Sequence, residues 1–361
     1  AFIHKTRRGQ AAGGTRFWRY ETVADFVRDG LRLSRGMGQK CALAGLWWGG
    51  GKGVIARRAD ANHKNPELRG QVYRDYGRMM SGLRGLYVTA EDVGTTPPDM
   101  AQIFTTSRHT TCIPNSMGGS GNPSALTATG VVVGMEAALH HLGLGTLAGK
   151  TVAMQGLGNV AIAMIGDLLE RHVSRIIGCD IEQEVINKVH EHYPGAPLEL
   201  QVVVLDDERI LFEEADVLVP NATGAILNPR TIPAIKAKVI CGAANNQLEL
   251  STRDGRALKE RGVLYVPDFL ANRMGIVNCA NEQYGWFEHD PAIEAHLQRE
   301  PEHGIFQRAL EVFRRAEKSE RCNAEEAELL AEELMEQPHR IWPDRGQQII
   351  DYLLRSSWTS R

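Results

Sequence analysis

Thr151-Val-Ala-Met-Gln155-Gly156-Leu157-Gly158-Asn159-Val160-Ala161 is the stretch that decides the fold. A short β-prone run, Thr151–Gln155, gives way to two glycines and then to a helical pattern. In this GxGxxA spacing, Gly156 permits a tight turn, Gly158 lets a pyrophosphate approach the backbone, and Ala161 lets the helix pack closely on the strand. A helix starting there directs free N–H groups and its positive dipole end at the phosphates. The spacing by itself is weak evidence, because a tight βα turn needs no ligand. Here it has its strand, its helix and an acidic partner: Asp180 ends the next β-prone run, 24 residues after Gly156. A carboxylate there accepts from both ribose hydroxyls of NAD and repels a 2′-phosphate, although it is also a reasonable helix N-cap.

Downstream, the runs Ser174–Asp180, Leu200–Leu205, Asp216–Pro220, Lys238–Cys241 and Val263–Pro267 alternate with helical stretches. Such alternation predicts an α/β fold with a parallel, doubly wound sheet of the Rossmann type. Ligands of open sheets lie beyond the carboxyl ends of the strands. That rule brings Asn221, Ala243, Ala244, Asn245, Asn246 and Asp268 near the nicotinamide end. Leu157, Asn159, Val160, Ile181, Ala222, Thr223 and Thr127 complete the expected cofactor contacts.

Upstream, residues 21–36 read as a helix in which Val23, Phe26, Val27 and Leu31 form one apolar face, with Gly36 and Gly38 ending it. Residues 40–55 are glycine-rich, 66–82 are helical, and Leu86-Tyr87-Val88 is a short buried strand. The segment 118–123, GGSGNP, is a loop or hinge, and a helix begins at Leu126. The last seventy residues are helical and charged, with Glu325–Leu334 amphipathic. Two domains are expected from this pattern: 1–128, with roughly 330–361 packing back on it, and 129–329, with a cleft between them. The second, which carries the dinucleotide fingerprint, is expected to bind NAD.

A chain of 361 residues with 43% hydrophobic and 24% charged residues can bury a sizeable core. A net charge of −3 supplies no basic field for nucleic acid or an anionic membrane. No apolar run approaches the ~18 residues of a membrane helix, and Arg7 and Arg8 precede no signal-peptide core. The six cysteines are scattered without CxxC pairing, which predicts reduced thiols in a cytoplasmic protein and no metal site. The chain begins at Ala1 and soon reaches Gly13-Gly14, so whether an element of the first domain precedes it stays open.

The chemistry-bearing residues lie in the first domain. Lys40 and Lys52 bracket the nearly uncharged stretch CALAGLWWGGG. A desolvated lysine beside a second cation has a lowered pKa and can manage a water proton near neutrality. The other lysine can hold a carboxylate as a point charge. Asp92 follows the apolar strand and is a reasonable general base; its neighbour Glu91 competes for the role, and spacing does not separate them.

At these residues the chain resembles the glutamate/leucine/phenylalanine/valine dehydrogenase family, closest to its leucine and phenylalanine branch. The matching motifs occur in order over roughly 11–286. They are Gly13-Gly14-Thr15-Arg16; Gly36-Met37 through Lys40; Gly49-Gly50-Gly51-Lys52; Thr89-Ala90-Glu91-Asp92-Val93-Gly94-Thr95; Gly121-Asn122-Pro123-Ser124; GLGNVA at 156–161; Pro220-Asn221-Ala222-Thr223-Gly224; Gly242 to Gln247; and Pro267-Asp268-Phe269. The resemblance implies a homo-oligomeric, NAD-dependent amino acid dehydrogenase whose first domain is an α/β substrate-binding and oligomerisation domain. It implies that Lys40 holds the substrate carboxylate, Lys52 activates water, Asp92 moves protons to and from the substrate nitrogen, and Asn272 orients substrate beside the nicotinamide.

The resemblance also bears on the side chain accepted. The glutamate branch carries a lysine before the glycine pair, where this chain has Ala12, which cannot pair a second carboxylate. Ala12, Ala90, Ile276 and Cys279 are the mapped pocket residues, small or apolar, beside Gly13 and Gly14. They fit an apolar amino acid, branched aliphatic or aromatic. Two features depart from the family. Arg273-Met274 stands where Ala-Gly is usual, so Arg273 either binds an acidic group of a shifted substrate, turns to solvent, or marks a silent nucleotide-binding homologue. Trp47-Trp48 is bulkier than expected and either packs in the core or narrows the pocket.

Overall fold

The computed structural model describes residues 1–356. It divides into two compact units: 1–123 with 276–293 and the described residues from 331 on, and 124–275 with 294–330. The division falls after Pro123 rather than after residue 128, and 276–293 belongs to the first unit rather than to an unbroken 129–329 block.

The first unit opens with β1 (Phe2–Lys5), β2 (Ala11–Trp18), α1 (Val23–Leu43), β3 (Gly49–Ala56), α2 (Pro66–Gly82), β4 (Tyr87–Glu91) and α3 (Pro97–Phe104). Its sheet has the order β1-β3-β2-β4, with β2 parallel to both β3 and β4 and only β1 antiparallel. Thr22 caps α1 by accepting from the Asp25 N–H at 3.1 Å, and Asn65 caps α2 ahead of Pro66.

The expected end of α1 at Gly36 and Gly38 is corrected: the helix runs through both to Leu43. The glycines serve packing instead of termination. At Gly50 of β3 a Cβ would stand 2.8 Å from the Gly38 backbone, so helix and strand meet there without side chains between them. Of the apolar face read from the sequence, only Phe26 is partly buried, against Phe2 and Tyr20. Val23, Val27 and Leu31 are exposed, while Gly30, Ser34, Gly38, Cys41, Ala42 and Leu43 face the core.

The second unit contains α4 (Ser124–His141), β5 (Thr151–Gln155), α5 (Asn159–Glu170), β6 (Arg175–Asp180), α6 (Gln183–His192), β7 (Leu198–Val202), β8 (Val217–Pro220), β9 (Val239–Ile240), α7 (Ser251–Glu260), β10 (Leu264–Tyr265) and α8 (Asp268–Ala271). Its six strands are all parallel in the order β10-β9-β8-β5-β6-β7, the doubly wound dinucleotide-binding order. Helix α4 is apolar on most sides because α5, α8 and α11 (Ile305–Lys318) pack around it. The remaining helices are α9 (Met274–Glu282), α10 (Pro291–Glu294), α12 (Asn323–Met335) and α13 (Arg345–Arg355). Among the described residues no helix is long and apolar enough to cross a membrane.

Candidate active site

In the first unit, the parallel strands β2, β3 and β4 carry Gly13-Gly14, Lys52 and Thr89-Ala90-Glu91 side by side. Lys52 is 3% exposed, and its Nζ lies 3.0 Å from Asp92 Oδ1, just past the end of β4. Gly14 makes this approach possible, since a Cβ there would overlap the Glu91 carbonyl oxygen and stand 2.8 Å from Asp92 Cβ. The Asp92 N–H donates to Thr95 Oγ1 at 2.8 Å, and that hydroxyl donates to the Asp92 carbonyl at 2.8 Å. The turn after β4 therefore holds the carboxylate in place.

Arg16, two residues past Gly14, donates from Nε to Asp92 Oδ2 at 3.0 Å and pairs through Nη1 with Asp29 of α1, also at 3.0 Å. Tyr20 donates to the same Asp29 oxygen at 2.6 Å. Burial lowers the pKa of Lys52, the Arg16 charge lowers it further, and Asp92 only partly restores it. Burial alone would raise Asp92, but the charges of Lys52 and Arg16 outweigh it and hold the carboxyl below its ordinary range. The pair thus combines a loosened lysine proton with a firmly ionised carboxylate. Nothing in the spacing marked Arg16 beyond its place in the Gly-Gly-Thr-Arg motif.

Geometry separates the two acidic candidates. Asp92 meets Lys52. Glu91 has a buried Oε2 without a hydrogen-bond partner, and burial, with Asp99 and Asp92 adding to it, pushes its pKa up to about 7. Lys40 lies in the last turn of α1, half-buried, two residues past the Gly38 contact with β3. Ala12, Ala90, Ile276 and Cys279 are all buried in one apolar cluster of this unit.

In the second unit, Gly156 turns the chain after β5 at φ +86°, where a Cβ would press on Ala222 at 2.7 Å. A Cβ added to Gly158, at the start of α5, meets nothing within 4 Å. The first turn of α5 has no side-chain cap, so its N–H groups face that open space. Asp180 accepts the Leu157 N–H at 2.8 Å and the Glu182 N–H at 3.1 Å, with exposed Ile181 beside it. Asn221, at the end of β8, accepts from the Ala243 N–H at 2.9 Å, while its own amide nitrogen is buried without a partner. Asn272 donates to the Ala243 carbonyl at 3.0 Å and to Asn245 Oδ1 at 2.9 Å, leaving its Oδ1 unpartnered. Ala244 is buried, Thr223 receives a long hydrogen bond from Gln155, and Thr127 sits in the first turn of α4. Open space at a helix N-terminus, orphaned amides around it and a carboxylate at the next strand end together fit a dinucleotide.

Comparison with known proteins points the same way. Residues 1–109 match the Glu/Leu/Phe/Val dehydrogenase dimerisation domain, and 118–188 and 180–334 match the Glutamate/Leucine/Phenylalanine/Valine dehydrogenase family. The chain belongs to that family. It is 42% identical over 316 residues to leucine dehydrogenase of Bacillus subtilis (strain 168), covering 87% of this chain and 81% of that one. It is 37% identical to phenylalanine dehydrogenase of Lysinibacillus sphaericus, covering 87% and 78%. The crystal structure of L-tryptophan dehydrogenase from Nostoc punctiforme superposes with a TM-score of 0.74 at 32% identity, covering 92% and 90%. This Glu/Leu/Phe/Val dehydrogenase is therefore an amino acid dehydrogenase, an oxidoreductase served by a nucleotide cofactor.

The departures from the family pattern resolve structurally in this dehydrogenase. Arg273 is fully buried within the second unit and donates to the His303 carbonyl. Burial and the nearby Arg308 lower its pKa to about 9. It does not turn to solvent, which corrects that reading. Trp48 is buried in the core of the first unit. Trp47 is stacked against Arg8 at 4.4 Å and Arg340 at 5.5 Å, a packing role rather than a pocket wall. All six cysteines are free and buried, with Cys112 Sγ 3.1 Å from Cys279 Sγ. Among the described residues no His, Cys, Asp and Glu group is arranged to hold a metal ion.

Proposed function

We propose that this enzyme catalyses the reversible NAD-dependent oxidative deamination of an apolar L-amino acid to its 2-oxo acid and ammonium. The observation that carries the reading is the buried Lys52–Asp92 pair, 3.0 Å apart, with Arg16 on the second carboxylate oxygen. The nicotinamide, when bound, supplies the hydride acceptor. The cofactor-holding residues are Gly156, Leu157, Gly158, Asn159, Val160, Asp180, Ile181, Asn221, Ala222, Thr223, Ala243, Ala244, Asn245 and Thr127.

In this mechanism Lys40 holds the substrate carboxylate and the Gly13-Gly14 strand gives the ligand close access to backbone. As the Cα hydride leaves, the Cα–N bond becomes an imine. Lys52, as the neutral amine, takes a proton from the water that attacks the imine carbon. Asp92 relays a proton to the nitrogen, which leaves as ammonia when the carbonyl forms. Asn272 orients the substrate. Ala12, Ala90, Ile276 and Cys279 receive the side chain and offer no charge to a second carboxylate. A methylene more or less in such a pocket is worth ~1–3 kcal/mol, and its lining suits a branched aliphatic or an aromatic side chain. Leucine and phenylalanine dehydrogenases among the relatives support both classes. Asp180 at the end of β6 favours NAD over NADP. Six reduced thiols suit a cytoplasmic enzyme. The match to a dimerisation domain, with apolar Val23, Val27 and Leu31 exposed on α1, supports a homo-oligomer.

Absorbance at 340 nm over a panel of L-amino acids tests the reading. NADH is expected with leucine- or phenylalanine-like substrates. Turnover confined to glutamate, or none with any amino acid, overturns it. Asp180→Ala should narrow the NAD-over-NADP preference about tenfold or more, the loss of one charged hydrogen-bonding partner; an unchanged ratio removes the ribose role.

A further inference from the structure

The first unit holds a second concavity that the deamination chemistry does not use. It has a volume of about 750 Å³ and is lined by Ser81, Arg84, Arg108, His109, Arg345 and Gln348, with Ile349 and Tyr352 at its apolar side. That size is within the range of small-molecule sites. Three elements build it: the end of α2, the segment after α3, and α13. Among the described residues no carboxylate lines it.

Arg16, Arg28, Arg35, Arg58, Arg69 and Arg78 of this unit each pair with a carboxylate; what sets this concavity apart is that three guanidiniums without such a pair line one cavity. Among the described residues no ion pair involves Arg84, Arg108 or Arg345. Arg84 sits in a left-handed turn (φ +53°) with its guanidinium over the Tyr352 ring at 5.0 Å, so it is held rather than splayed into solvent. Arg345 is the first residue of α13 and bonds Gln348 at 3.5 Å, so the positive end of that helix adds to the field. Burial, then the Arg108 charge, holds the imidazole of His109 below its ordinary pKa. A chain of net charge −3 thus gathers three uncompensated guanidiniums in one pocket. An anion seated among them gains attraction from all three, weakened as added salt screens the exposed charges.

We infer that this pocket, formed by Arg84, Arg108, Arg345, His109, Ser81 and Gln348, binds a small anion carrying two or more phosphate groups. Guanidinium forks match phosphate oxygens bidentately. Three of them on different elements suit a di- or triphosphate better than a single carboxylate. The side-chain amide N–H of Gln348, whose oxygen accepts from Arg345, supplies a neutral donor.

The test is calorimetric titration of inorganic pyrophosphate into the full chain, with NADH present to occupy the glycine turn before α5. One further site per chain is expected. Its affinity should weaken with added salt, and fall at least tenfold in the double variant Arg108→Gln/Arg345→Gln. Both side chains are exposed and lie outside the Lys52–Asp92 machinery. The variant should therefore keep the wild-type melting temperature and its turnover without pyrophosphate. Absence of binding at millimolar pyrophosphate overturns the proposal, as does equal affinity in wild type and variant. Binding of a polyglutamate peptide without pyrophosphate binding also overturns it, making this face a protein contact instead.

Discussion

At the residue scale, Lys52 and Asp92 show how a buried ion pair becomes chemistry. Removing either partner leaves the other charge buried and uncompensated as well as removing its proton role. Lys52→Ala and Asp92→Asn should each lower turnover at least about a hundredfold, the usual worth of a positioned acid or base. Nucleotide binding, measured by NADH fluorescence, should stay near wild type, because the glycine turn and Asp180 lie in the other unit. A variant that keeps its rate removes its residue from the mechanism. Arg16 gives a finer test. Its charge lowers the pKa of both Lys52 and Asp92. With Arg16→Gln, Lys52 binds its proton more tightly, so the limb of the pH–rate profile that rises as Lys52 deprotonates should move to higher pH. The acid limb that follows Asp92 ionisation should move the same way. A profile that falls in amplitude without moving would leave Arg16 with a purely structural part.

At the element scale, the first unit depends on close backbone approach. Gly14→Ala would drive a methyl into the Glu91 carbonyl and against Asp92. Overpacking of this kind costs ~1–3 kcal/mol, so the melting temperature should drop by several degrees, and activity should fall as Asp92 is displaced. An alanine variant with unchanged melting temperature and rate would show that β4 yields easily. Much at this scale was legible beforehand. The runs read at 151–155, 174–180 and 216–220 correspond to β5, β6 and β8, and 66–82 corresponds to α2. The exceptions have physical causes. Strand β1 carries no period-two signal and exists because Phe2 to Lys5 pair with β3. Helix α1 outruns its glycines because the strand beside it, itself glycine-rich, rewards the absence of side chains.

At the scale of the whole molecule, the exposed stripe on α1 carries the prediction. Val23, Val27 and Leu31 repeat at helical spacing and stay exposed, at 79%, 39% and 58%. A monomer rarely exposes such a row on a helix that also has a buried face. Replacing all three with serine should lower the mass measured by light scattering after size exclusion, without lowering the melting temperature of the monomeric form. An unchanged mass would move the subunit contact elsewhere. The apolar face read from the spacing is thus largely a surface in this chain, because periodicity reports that one face of a helix avoids water but not what covers it.

Sequence alone determined the features written in contiguous residues: the turn at Gly156-Leu157-Gly158, the parallel sheet around it, and the residue types of the site. These depend on local stereochemistry and short-range spacing, which a linear string carries. Only the tertiary structure decided that Asp92 rather than Glu91 meets Lys52, that Arg16 holds the other carboxylate oxygen, and that Arg273 is buried. Those outcomes depend on strand register and on which groups are brought together across long stretches of chain. Burial and pairing energies arise only once distant segments share the same space.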